Sequence, residues 1–125
     1  MYALEKHVME FKVANNRLTG DASFLLGRRN TTVDGLDLSG NRLRFNLTGL
    51  EMPRNLLFLN LSHNRIYGRV PASQQQSGVV VLDLSYNELC GEIPTGGAMG
   101  WFKAVAYGHN KCLCGTPLPP CASGH

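Results

Sequence analysis

Apolar and polar residues recur in one pattern along this chain. Leu82-Asp83-Leu84-Ser85-Tyr86-Asn87-Glu88-Leu89-Cys90-Gly91-Glu92-Ile93-Pro94 has the form L-x-L-x-x-N-x-L-x-G-x-I-P. Leu59-Asn60-Leu61-Ser62-His63-Asn64-Arg65-Ile66-Tyr67-Gly68-Arg69-Val70-Pro71 repeats it one period upstream, and Leu36-Asp37-Leu38-Ser39-Gly40-Asn41-Arg42-Leu43 comes before that. Phe11-Lys12-Val13-Ala14-Asn15-Asn16-Arg17-Leu18-Thr19-Gly20 is a worn first copy. The phased asparagines Asn16, Asn41, Asn64 and Asn87 stand 25, 23 and 23 residues apart.

A period of this length with this pattern is that of a leucine-rich repeat. Side chains of a strand alternate faces, so the paired apolar residues of each copy point into the stack. The residue between them points to solvent. An amide at one repeated, buried position needs partners on the backbone, which predicts an asparagine ladder between repeats. The G-x-I-P and G-x-V-P tails turn the chain to the convex side, because Gly admits unusual dihedrals and Pro fixes one. The predicted fold is an α/β solenoid with a parallel concave sheet and short or 3-10 helices on its convex side. Residues 1–94 hold about four repeats, the first degenerate, and residues 95–125 form a cysteine-containing cap whose Gly, Pro and Cys content ends the periodicity.

Composition narrows the picture. No apolar run is long enough to span a membrane. The net charge of +3 is mild and does not resemble a nucleic-acid tail. Met1-Tyr2-Ala3-Leu4-Glu5-Lys6-His7 has no apolar leader segment, and no capping module covers the first repeat. The C-terminal end nevertheless reads as extracellular. The expectation is the C-terminal part of a longer secreted protein, or a truncated product.

Along the chain, Leu4 to Met9 reads as strand or amphipathic helix, and Asp21 as the cap of a helical turn with Phe24, Leu25 and Leu26 facing the stack. Asn30-Thr31-Thr32 and Asn46-Leu47-Thr48 are glycosylation sequons in expected loops. Asn60-Leu61-Ser62 also fits the sequon but lies in a strand. Phe45 stands where the other copies have Gly. Ser73-Gln74-Gln75-Gln76-Ser77-Gly78 reads as a polar surface loop, and Trp101 with Phe102 as a cover for the last repeat. Four cysteines allow three pairings. Joining Cys112 to Cys114 across one residue conflicts with disulfide geometry, and of the other two pairings Cys90–Cys112 with Cys114–Cys121 is favoured. The rival is a zinc site, but no well-spaced histidines accompany the cysteines.

Aligned strands place residues in columns on the open face. Lys12, Asp37, Asn60 and Asp83 form one; Ala14, Ser39, Ser62 and Ser85 a second; Glu10, Gly35, Phe58 and Val81 a third. Asn15, Gly40, His63 and Tyr86 lie at the edge. Strands about 4.8 Å apart hold Asp37 and Asp83 roughly twice that distance from one another, near the upper limit for a pair of glycosidase carboxylates. With no pocket to raise an acid's pKa, no oxyanion site, no phosphate loop and no metal cluster, the expectation is a protein without enzymatic activity, cofactor or metal. Phe58, Val81, His63 and Tyr86 among polar neighbours have the makeup of a protein contact surface.

The L-x-L-S-x-N-x-L-x-G-x-I-P form resembles the plant-specific class of leucine-rich repeats. The ending Leu89-Cys90-Gly91-Glu92-Ile93-Pro94-Thr95-Gly96-Gly97, Tyr107, and Asn110-Lys111-Cys112-Leu113-Cys114-Gly115-Thr116-Pro117-Leu118-Pro119-Pro120-Cys121 is similar to the C-terminal end of polygalacturonase-inhibiting proteins. So are Gly20-Asp21-Ala22-Ser23, Phe45-Asn46-Leu47 and His63-Asn64-Arg65-Ile66-Tyr67-Gly68. This resemblance implies a right-handed superhelix and a secreted, glycosylated protein of the plant cell wall. It implies concave-face binding and inhibition of fungal endopolygalacturonases in defence. The strand columns offer Lys12, Asp37, Phe58, Asn60, His63, Val81, Asp83 and Tyr86 as the contact residues. The family's cap disulfides map onto Cys90–Cys112 and Cys114–Cys121. Pectin is a further candidate partner, through Arg28, Arg29, Arg42, Arg44, Arg65 and Arg69. The competing readings are a receptor-type interaction module without inhibitor activity and an ice-binding relative, which would need a flat, regular face.

Overall fold

Each repeat contributes one short parallel strand to a common sheet. The computed structural model describes residues 10–26, 34–51, 56–71, 79–94 and 102–122. Strands β1 (Glu10–Lys12), β3 (Gly35–Asp37), β5 (Phe58–Asn60) and β7 (Val81–Asp83) line up in the order β1-β3-β5-β7. The register is strict: Lys12, Asp37, Asn60 and Asp83 are Cα partners in turn, as are Gly35, Phe58 and Val81. Leu36, Leu59 and Leu82 sit between these columns and are buried, together with Leu38, Leu61 and Leu84 two residues on.

After the sheet each repeat turns and forms a second, narrower edge. Strands β2 (Thr19–Gly20) and β4 (Arg42–Leu43) pair there, and β6 (Tyr67–Gly68), β8 (Glu88–Glu92) and β9 (Cys112–Cys114) form a three-stranded group. All of these pairs are parallel. Leu43, Ile66 and Leu89 point back into the same continuous core as the sheet leucines. Gly20, Gly68 and Gly91 hold φ of +92°, +94° and +104° at one repeated position. Phe45 takes that position in the repeat without a glycine, and its ring is buried. A side chain in the core there replaces a turn that only glycine adopts freely.

On the convex side Ser23–Leu26 is a single 3-10 turn. Asp21 accepts the Ser23 backbone N–H at 2.8 Å, and its hydrogen bonds with Ser23 hold its carboxyl below the usual value. Leu26 is buried and Leu25 half-buried, but Phe24 is 75% exposed. Three residues per turn cannot bring three consecutive side chains to one face, which corrects the expectation for Phe24.

The periodicity does not end at Pro94. Leu84 and Tyr86 donate backbone hydrogen bonds to Ala106 (2.7 Å) and Gly108 (3.0 Å), as Leu61 and His63 do to Asp83 and Ser85. Residues 104–114 are therefore one more rung, with a 3-10 turn at Ala104–Ala106 in place of the strand. Tyr107 occupies the slot that Leu84 fills one rung earlier, and is fully buried. Cys90–Cys112 links β8 to β9, and Cys114–Cys121 closes the loop that follows. Phe102, Leu113 and Leu118 pack on the end of the core. The segment Leu4 to Met9, the sequon at Asn30, Arg28 and Arg29, the polar stretch 73–78 and Trp101 lie outside the described residues.

Candidate partner-binding face

The site is built on the asparagine ladder. Asn64 donates to Leu38 O (2.9 Å), Leu61 O (3.1 Å) and Ser62 O (3.2 Å), and accepts from Leu43 N (3.0 Å). Asn41, Asn87 and Asn110 repeat this arrangement, each reaching a carbonyl and an N–H of the rung before it. Asn16 keeps only the bonds within its own turn, to Val13 O and Ala14 O, and is exposed. With both ends of the amide satisfied on backbone, Asn41, Asn64 and Asn87 are buried without the penalty of an orphaned polar group.

The residue before each asparagine lies in the left-handed region, in the turn that the asparagine's bonds to its own rung close. Asn15, Gly40, His63, Tyr86 and His109 all have φ between 56° and 69°. This conformation costs an ordinary side chain about 1–2 kcal/mol. In the last three rungs the residues answer it with aromatic stacking. The His63 and Tyr86 rings lie 4.2 Å apart at 11°, and Tyr86 and His109 4.2 Å apart at 12°. Exposed His63, Tyr86 and His109 thus form one column along the edge of the concave sheet.

The column of Asp37, Asn60 and Asp83 is half-buried and bonded locally. In each, one Oδ1 accepts both the backbone N–H and the hydroxyl of the serine two residues on; for Asp83 and Ser85 the distances are 3.0 and 2.6 Å. The Asn60 sequon is therefore tied into its own turn. Ser62 and Ser85 are buried, so the serine column does not lie on the open face as the strand alternation implied. The hydrogen bond to the preceding carboxylate or amide turns each hydroxyl back. Lys12 is exposed, Phe58 half-buried, and Val81 50% exposed. Leu57 and Val80, one residue earlier and joined by a backbone hydrogen bond of 2.8 Å, are exposed beside them at 49% and 60%.

Three features escaped the sequence reading. His109 completes the aromatic column, and the 23-residue step from Asn87 to Asn110 was the signal that could have found it. Leu57 and Val80 extend the apolar part of the face; they stand one 23-residue period apart, but they precede the motif and Asp34 holds their position in the rung before. Among the described residues no cluster of histidine, cysteine or carboxylate side chains could hold a metal ion.

The second edge of the solenoid is basic. Arg17, Arg42 and Arg65 follow the phased asparagines Asn16, Asn41 and Asn64 and are exposed, with Glu88 and Lys111 at the next two rungs. Arg44 lies 4.5 Å above the Tyr67 ring. Asn46 is exposed, and its Oδ1 accepts the Thr48 backbone N–H at 2.9 Å. The Thr48 hydroxyl accepts from Arg69 N at 2.8 Å.

Residues 55–76 and 78–97 match the Leucine Rich Repeat family. A polygalacturonase inhibitor of Pyrus communis is 47% identical over 109 residues, which is 87% of this chain and 33% of that protein. The chain thus spans about a third of the curated relative it matches. The crystal structure of a plant ice-binding protein superimposes with a TM-score of 0.83 at 42% identity, over 91% of this chain and 37% of the other. The complex of BIR3 and SERK2 from Arabidopsis thaliana gives 0.75 at 28% identity, over 90% of this chain and 60% of that one. The stacked repeats, the ladder and these likenesses lead to one assignment: the chain is a leucine-rich-repeat protein, similar over most of its length to polygalacturonase inhibitors.

Proposed function

We propose that this chain takes part in inhibiting a fungal endopolygalacturonase, by docking the enzyme on its concave face. The observation that carries the reading is the 47% identity with a polygalacturonase inhibitor, sustained over 87% of the chain. The contact set we assign is Lys12, Asp37, Phe58, Asn60, His63, Val81, Asp83 and Tyr86, with His109 added. Half-exposed apolar and aromatic groups ringed by polar ones supply the contact energy of such a surface. We assign the chain to the extracellular space, which its two disulfides favour, and Asn46 to N-glycosylation. Pectin is the proposed second ligand. An acidic polysaccharide is matched by the exposed row Arg17, Arg42 and Arg65, since a guanidinium pairs with a carboxylate through two hydrogen bonds.

The test is inhibition of a fungal endopolygalacturonase by the oxidised chain alone, and by the chain joined behind the N-terminal repeats of the Pyrus communis inhibitor. Phe58→Ala and His63→Ala are each expected to weaken inhibition at least about tenfold, with folding unchanged by circular dichroism. Binding without loss of enzyme activity would favour a receptor-type interaction module. Inhibition indifferent to both substitutions would remove the concave face from the reading.

A further inference from the structure

Both disulfides open onto one cavity of about 550 Å³ at the C-terminal end of the solenoid, lined also by Arg69 and Glu92. The two bridges are not held alike. Cys90 and Cys112 are direct partners in the register of β8 and β9. Those strands are further tied by the Asn110–Leu89 bond of the ladder, at 3.0 Å. If that bridge is cut, the sulfurs stay face to face and re-form it. Each bridge has one exposed cysteine, Cys112 and Cys121; but Cys90, Cys112 and Cys114 sit on the paired strands, whereas Cys121 lies beyond β9 at the end of a run of exposed Pro119 and Pro120. Among the described residues, Gly115 N to Pro119 O (2.7 Å) and Leu118 N to Gly115 O (2.8 Å) are the backbone bonds that hold this loop, and both lie inside it. Once its bridge is cut, Cys121 leaves with the chain, and the effective concentration that would restore the bond falls.

We propose that Cys114–Cys121 is a reducible clasp, opened by a dithiol while Cys90–Cys112 stays closed, and that its opening uncovers the end of the core. A thiolate of the dithiol attacks the exposed Cys121 Sγ, and the S–S electron pair leaves on Cys114, which takes up a proton. The second thiol of the reductant then attacks its own sulfur in the mixed disulfide and releases Cys121 as a thiolate, which is protonated in turn. The reductant becomes a disulfide, and the bridge has gained two electrons and two protons. Leu118 lies inside the released loop and is packed on the core. Its departure exposes the apolar end that a solenoid must keep covered to stay soluble.

The experiment uses the oxidised full chain in graded ratios of reduced to oxidised dithiothreitol, quenched with iodoacetamide and read by peptide mass spectrometry. Cys114 and Cys121 are expected to be labelled at a reductant ratio about tenfold lower than Cys90 and Cys112. Labelling of all four cysteines in one step, or of Cys90 and Cys112 first, overturns the clasp. The doubly substituted Cys114→Ser, Cys121→Ser chain separates the second half of the proposal. It is expected to keep the Cys90–Cys112 bridge and the β signature, and to bind a hydrophobic dye more strongly than the oxidised chain. Unchanged dye binding would show that the loop covers nothing.

Discussion

At the scale of single residues, the ladder asparagines Asn41, Asn64 and Asn87 are buried and fully bonded. Asn64→Ala leaves buried Leu43 N without its acceptor and takes one donor from each of Leu38 O, Leu61 O and Ser62 O, which keep those from Asn41, Asn87 and Gly40 N. It should cost roughly 3 kcal/mol, read as a lower urea midpoint. Asn16→Ala removes only exposed bonds within one turn and should change stability by less than about 0.5 kcal/mol. Tyr107 gives the opposite case. It is fully buried, and among the described residues its hydroxyl has no hydrogen-bond partner. Tyr107→Phe should therefore stabilise the chain by about 1 kcal/mol. Burial also raises the Tyr107 pKa above its usual value. The unfolded chain then ionises first, near about pH 10. The stability contributed by the neutral phenol is present below that pH and lost as pH rises beyond it. Urea midpoints measured on both sides of that pH should fall less steeply for Tyr107→Phe than for the parent chain.

At the scale of the element, the repeats keep one backbone path with different side chains at its turning point. Gly68 carries φ +94°, and an added methyl would run into Asn46 Oδ1 and Thr48 Oγ1. Gly68→Ala should cost roughly 2–3 kcal/mol, seen in the thermal midpoint. This path was legible in the sequence wherever the asparagine kept its 23-residue phase, and so were the inward leucines of each strand. The last rung was harder to see. Tyr107 replaces a leucine, Ala104–Ala106 replaces a strand, and neighbouring cysteines and prolines hide the repeat. Of the site, the register columns could be read directly, because pairing in phase fixes which residues adjoin. The stacking of His63, Tyr86 and His109 could not. It depends on a left-handed turn closed by hydrogen bonds from the next residue's amide, which strand alternation does not describe. The serines were misplaced for a similar reason, since their hydroxyls follow a local bond and not the pleat.

At the scale of the whole molecule, the two faces differ in charge. The concave sheet carries Asp37 and Asp83, while Arg17, Arg42 and Arg65 lie along the second edge, in a chain of net charge +3. Asn60 already accepts from Ser62 as the two aspartates accept from their serines. Asp37→Asn with Asp83→Asn should therefore leave stability within about 0.5 kcal/mol. The formal charge rises by two, to +5. If the face docks a protein through these carboxylates, association should slow, and its rate should depend less on salt; stopped-flow binding at two ionic strengths measures both. The row before the phased asparagines has a different significance. Its residues share one backbone conformation, and a carboxamide, a bare glycine, two imidazoles and a phenol already stand there. The choice of side chain is thus uncoupled from the path of the chain. Along such a row, lineages can diverge in what they recognise by single substitutions, without inserting loops or refashioning the scaffold.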